Sequence, residues 1–174
     1  MRDERGFSRE LLIAIVIISF LSVIAFNRVL ALRFEAERMM VQSVVTGLLS
    51  ALYIDFAAAA ANGRMDRIDA APGSNPMLRL SQKPGTYAGE FYGPDPATFE
   101  PGTWYFDTRD HALVYIVRFP SQFVTPLSGP PRARFAVEAD YEDVDHNGRF
   151  DPGRDPVHGL KLVPLESFSW KEKQ

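Results

Sequence analysis

An α+β architecture, with one long N-terminal helix packed on a small antiparallel sheet, is what this sequence predicts. Three observations carry the prediction. Leu11 to Phe26 is a run of sixteen residues without a charge. Beyond it, Phe34, Val41, Val45, Leu48, Leu52 and Phe56 recur at spacings of 7, 4, 3, 4 and 4, the pattern of a helix with one apolar face. Further on, "RARFAVEADY" (132–141) alternates residue by residue. Ala133, Phe135, Val137, Ala139 and Tyr141 share one face, and Arg132, Arg134, Glu138 and Asp140 share the other, as in a half-buried antiparallel strand.

The first run is about 24 Å long as a helix. It resumes past Asn27 and Arg28 in Val29, Leu30, Ala31 and Leu32, and the Arg28 stem can carry its charge to the headgroups. A membrane helix over 7–32 is expected. No A-x-A pattern between residues 11 and 40 marks a secretory cleavage site. A core helix of a small domain would keep one face wet, which this run does not. Arg2, Arg5 and Arg9 precede it and Arg28, Arg33 and Arg38 follow it, so flanking charge does not set its direction. The folded mass lies on the C-terminal side, which is expected to be exported.

An amphipathic half-helix is expected over 33–62. No proline occurs from Phe34 to Phe56, and Asn62-Gly63 supplies a stop signal. Residues 63–103 carry Pro72, Pro76, Pro84, Pro94, Pro96 and Pro101 and read as a loop-rich connector. "TWYF" and "ALVYIVRF" flank "DTRDH", so Thr103–Phe106 and Ala112–Phe119 form a predicted hairpin. "GLKLVPLESFSW" is a further strand, in which Pro164 implies an edge or a bulge. The amphipathic half-helix is expected to cover the dry sheet face.

Composition narrows the function classes. Nineteen basic and 22 acidic residues give a net charge of −3, with no basic footprint for nucleic acid. The chain has no cysteine, hence no disulfide, thiolate site or Cys nucleophile. His111, His146 and His158 are scattered, and no Ser/His/Asp or H-E-x-x-H pattern occurs, so an enzyme is not expected. Trp104, Tyr105, Tyr115, Phe135 and Trp170 read as core aromatics.

One stretch does carry site chemistry. In "DVDHNGRFDPGRD" (143–155), Asp143, Asp145 and Asn147 stand at positions 1, 3 and 5 of a D-x-D-x-N-G calcium loop, with Gly148 at the turn. The Arg149 carbonyl falls at position 7 and Asp151 at position 9. Position 12 is Arg154 in place of Glu, which leaves Asp155 as the substitute ligand. Closely spaced carboxylates repel one another without a cation, so calcium is the expected ligand. A solvated Asn-Gly turn between two strands is the plainer alternative.

"GFSRELLIAIVII" followed by a long half-amphipathic helix resembles the N-terminus of type IV pilins and type II secretion pseudopilins. The resemblance covers residues 5 to about 62. It implies a leader of residues 1–6 cut by a prepilin peptidase between Gly6 and Phe7, methylation of Phe7, and pairing of Glu10 with a neighbouring subunit during filament assembly. Glu10 stands fourth after Gly6, where the family glutamate stands fifth, and Arg9 precedes it. That offset turns the carboxylate by about 100°. The implied protein is a single-pass subunit of a bacterial inner-membrane filament machine, a pseudopilin or minor pilin. Its 63–174 loop-and-sheet domain would lie in the periplasm, its partners would be other pilin-like subunits, and calcium near the C-terminal sheet would be in keeping. The rival reading is an uncleaved bitopic binding or sensor domain.

Overall fold

The computed structural model describes residues 4–171, with the side chains of residues 4–10, 27, 30 and 31 outside the description. Helix α1 (Glu4–Ala61) is unbroken. It runs through two compact units, residues 1–39 and 40–174. In the first unit, every residue from Leu11 to Phe26 is exposed. In the second, Val41, Leu48 and Leu52 are buried in the main core and Val44 and Val45 pack against it.

α1 ends where the Asn-Gly step predicts. Gly63 takes φ +64°, a left-handed conformation without a Cβ penalty. Arg64 N–H then donates to Ala59 O (2.9 Å) and Gly63 N–H to Ala60 O (3.3 Å), the two bonds of a Schellman stop. A one-turn helix, α2 (Asp66–Asp69), follows, and a 3₁₀ turn covers Pro76–Arg79.

Among the described residues, seven strands form two sheets. Their ranges are β1 (Tyr87–Phe91), β2 (Trp104–Asp107), β3 (Ala112–Ile116), β4 (Phe123–Val124), β5 (Arg132–Tyr141), β6 (Val157–Pro164) and β7 (Ser169–Trp170). The larger sheet runs β1-β2-β3-β5-β6, and β4 pairs with β7 apart from it. The predicted hairpin is β2–β3, with Trp104 opposite Tyr115 and Asp107 opposite Ala112. β5 occupies the predicted ten residues and alternates in burial as read from sequence. β6 is an edge strand that ends at Pro164, a residue an edge tolerates because its missing N–H is not needed for the ladder: Leu165 N–H still reaches Arg134 O (2.9 Å).

The structure departs from expectation in three places. The connector contains a strand, β1, that pairs with β2 in parallel, so the sheet is mostly but not wholly antiparallel. β3 stops at Ile116 instead of Phe119: Val117 N–H still bonds to Pro131 O in register, but Pro131 has no N–H to carry the ladder with β5 further. The final predicted strand is two, since the chain turns after Pro164 and rejoins β4 as β7.

The main core gathers Leu48, Leu52 and Met77 with Trp104, Phe106, Leu113, Tyr115, Phe135 and Leu162. β2 and β3 are buried on both faces. Their second face holds Tyr105, Ala112, Val114 and Ile116, with Phe99 packed against them. Phe99 stacks on Tyr105 at 4.1 Å between ring centroids. The 92–103 crossover that a parallel β1–β2 pair requires is therefore also the cover of the sheet's outer face.

Candidate functional site: the acidic loop and the apolar helix

The acidic loop joins β5 to β6, and Glu142 N–H closes its base on Pro156 O (2.9 Å). Inside, the chain winds round its own carboxylates. Asn147 N–H lies between Asp143 Oδ1 (3.2 Å) and Asp145 Oδ1 (3.3 Å), and Gly148 N–H donates to Asp143 Oδ2 (2.7 Å). His146 and Gly148 take φ of +58° and +75°, which lets the chain turn this tightly. The Gly148 amide, ahead of the Asn147 amide, holds the Asp143 carboxyl below its ordinary range.

Asn147 links the two halves of the loop. Its Oδ1 accepts from Arg149 N–H (2.7 Å), and its Nδ2 donates to Asp151 Oδ2 (2.8 Å). Asp155 is 4% exposed. Its Oδ1 accepts from Val144 N–H (3.3 Å) and its Oδ2 from Asp151 N–H (2.9 Å). The loop thus brings together the side chains predicted from sequence, but with different duties. Asp155, expected as a substitute ligand, braces two backbone amides. Arg154 turns its Nη1 to Asp145 Oδ2 at 2.8 Å, placing a positive charge beside the carboxylates. Among the described residues no group of three or more His, Cys, Asp or Glu side chains is gathered closely enough to hold a metal ion.

Two further carboxylates organise the outer face, and no local sequence signal marks either. Asp107, 6% exposed, gathers Gly93 N–H (2.9 Å) and Arg109 N–H (3.0 Å) on Oδ1, which ties the end of β1 to the β2–β3 turn. Glu166 pairs with Arg134 of β5 (Nε to Oε1, 3.0 Å), and Arg134 also reaches Asp110 (3.1 Å). The Asp107–Gly93 and Glu166–Arg134 contacts join distant parts of the chain, which periodicity cannot reveal.

The N-terminal candidates lie on α1. Gly6, Phe7, Arg9 and Glu10 fall on its helical backbone, and their side chains are outside the described residues. α1 contains two apolar stretches, Leu11–Phe26 and Leu32–Ala61, and the second is by itself long and apolar enough to cross a membrane. The packing separates them. Leu48 and Leu52, with no exposed surface, commit the second stretch to the sheet on one side. The first presents apolar side chains all round, with Val16, Ile18 and Phe20 at 62–67% exposure. Such a shell is stable in hydrocarbon and unstable in water.

A long apolar N-terminal helix on a small sheet is a pilin-like architecture. No protein-family model, curated protein or solved structure matches this chain.

Proposed function

We propose that the chain is a pilin-like subunit of an inner-membrane filament machine of the type II secretion or type IV pilus kind. It is anchored by residues 7–32 and works by assembly, not catalysis. The observation that carries this is the division of labour along α1. One unbroken helix is apolar on every side from Leu11 to Phe26, and apolar toward a sheet from Val41 to Leu52. A helix that only tethers a domain has no need to enter that domain's core as its main packing face. The membrane-facing shell and the sheet domain on the other side would place the globular unit in the periplasm. Glu10, with Arg9, would set the register between copies, since a carboxylate near hydrocarbon is costly until it is paired.

Intact mass and N-terminal sequencing of the protein extracted from membranes test the reading. A mature chain beginning at Phe7, with or without a methyl group, supports processing by a prepilin peptidase. A chain beginning at Met1 or Arg2 would sink it in favour of an uncleaved bitopic domain.

We further propose that the 143–155 loop takes up calcium, with Asp143, Asp145, Asn147 and Asp151 as side-chain ligands and the Arg149 carbonyl as a main-chain one. In support, the Asp143 and Asp145 carboxylates already meet at one amide. Arg154 would have to leave Asp145, so the affinity should be in the weak range of extracellular modules, about 10⁻⁴ to 10⁻³ M. Melting temperatures in millimolar calcium and in chelator test this, beside an Asp143→Ala/Asp145→Ala variant. A rise confined to the parent is expected, and equal values in both conditions would refute calcium.

A further inference from the structure

The chain does not end with β6. After Pro164, Leu165 N–H donates to Arg134 O (2.9 Å), and Glu166 takes the Arg134 guanidinium. The following residues lie along β4. Trp170 pairs with Phe123 and Ser169 with Val124 in an antiparallel ladder of two residues. Lys171 continues it, donating its N–H to Gln122 O (2.9 Å) and its Nζ to Ser121 O (3.0 Å).

Phe168 and Trp170 are two positions apart and so share a face of this strand. Both rest on Phe123, at 5.3 Å stacked and 4.9 Å edge-on, and Phe168 also meets the edge of Phe135 at 5.6 Å. Ser169 between them is exposed. Main-chain bonds hold the strand while alternate side chains fill apolar seats, which is peptide recognition by strand addition. Here the peptide belongs to the same chain, and the seat is made by β4 and β5.

We propose that this seat is exchangeable, so that residues 165–171 of a second copy dock on β4 through the Phe168-Ser169-Trp170 pattern. Three features argue for it. A two-residue ladder outside the main sheet is weak by itself, so tethering contributes much of the hold. A short tether acts as a local concentration in the millimolar range, which crowded neighbouring copies can match. A strap from another copy repeats every contact made in cis from Leu165 onward, so exchange costs only the rearrangement of the turn at Pro164 and the loss of free motion. The inference needs no filament, because crowding in a micelle is sufficient.

Disulfide trapping in the full chain tests it, and the absence of native cysteine keeps the readout clean. Val124 and Ser169 face each other across the ladder and are both exposed. One chain carries Val124→Cys and another Ser169→Cys. They are mixed at high protein-to-detergent ratio and mildly oxidised. A disulfide dimer several-fold more abundant in the mixture than in either variant alone is expected. It should disappear when Phe168→Ala and Trp170→Ala are added to the Ser169→Cys chain. A mixture no richer in dimer than the separate variants, beside a Val124→Cys/Ser169→Cys chain that closes internally, would overturn the proposal. So would a dimer that survives removal of both aromatic rings.

Discussion

Replacing Asp155 with alanine removes the brace of the acidic loop. Two backbone donors, Val144 N–H at 3.3 Å and Asp151 N–H at 2.9 Å, lose their acceptor at once. An orphaned buried donor costs about 1–3 kcal/mol. Val144 is exposed and Asp151 only half-buried, so water recovers part of that. The expected loss is therefore about 2 kcal/mol for the pair, near the bottom of the range, or a fall of about 6–10 °C in Tm for a unit of this size. Urea unfolding of the full chain in detergent micelles, followed by Trp104 and Trp170 fluorescence, measures it. Asp151→Ala is the control, because its described side-chain contact is a single exposed bond from Asn147 Nδ2. It should cost less than about 1 kcal/mol. Since Asp155 acts on the backbone, its loss should register in chelator as well as in calcium. An Asp155→Ala variant within about 0.5 kcal/mol of the parent, or no worse than Asp151→Ala, would refute the brace.

Leu52→Ala should cost about 3 kcal/mol in the same unfolding experiment, because a fully buried leucine leaves a cavity under the sheet. Tyr53→Ala, one position on but 73% exposed, should be nearly silent. Burial pushes the Tyr105 phenol up to about 12. Its folded value lies above the ordinary 10.0, so its contribution to stability is intact below pH 10 and lost as pH rises through about 12. Burial also raises the Tyr87 phenol, so tyrosinate absorbance should show more than one late-titrating phenol, and Tyr105→Phe should remove the step near 12. Asp143 has the opposite sign. Its depressed value gives a stabilisation present above the ordinary carboxylate range, near pH 4, and lost as acidification passes the folded value. Carboxylate NMR should find Asp143 protonating below the ordinary range for an aspartate.

What could be read in advance was what one element states about itself. The seven-four-three-four spacing of α1 and the alternation of β5 are local signals, and Val41, Leu48, Leu52, Ala133, Phe135 and Val137 are buried as those signals require. The Asn62-Gly63 stop and the β2–β3 hairpin are equally local. β1 was illegible because Tyr87-Ala-Gly-Glu-Phe91 alternates poorly, has a glycine at its centre and pairs across a crossover instead of a turn. β2 and β3 are apolar on both faces, but nothing in their own residues says that Phe99 supplies the cover of the second. At the acidic loop, spacing picked out the residues but not their division of labour. Which carboxylate braces amides depends on burial, and the Arg154–Asp145 contact depends on how the loop closes. The strap was hidden for a similar reason, since Phe168 and Trp170 acquire meaning only once Phe123 is known to lie beneath them.

The position of α1 at the start of the chain has a consequence in time. Its sheet-facing stripe, Val41 to Leu52, precedes in sequence, and so is synthesised before, every strand it packs against. Trp104, Phe106 and Leu113 arrive only with the middle of the chain, Phe135 later, and the strap last. Until then an apolar stripe stands uncovered directly beyond the all-round apolar run Leu11–Phe26. Contacts this distant in sequence are also slow to form. The surface that holds the domain together is thus, during biogenesis, its most aggregation-prone one. Under the anchoring proposed above, the bilayer surface is the nearest place for that stripe to wait.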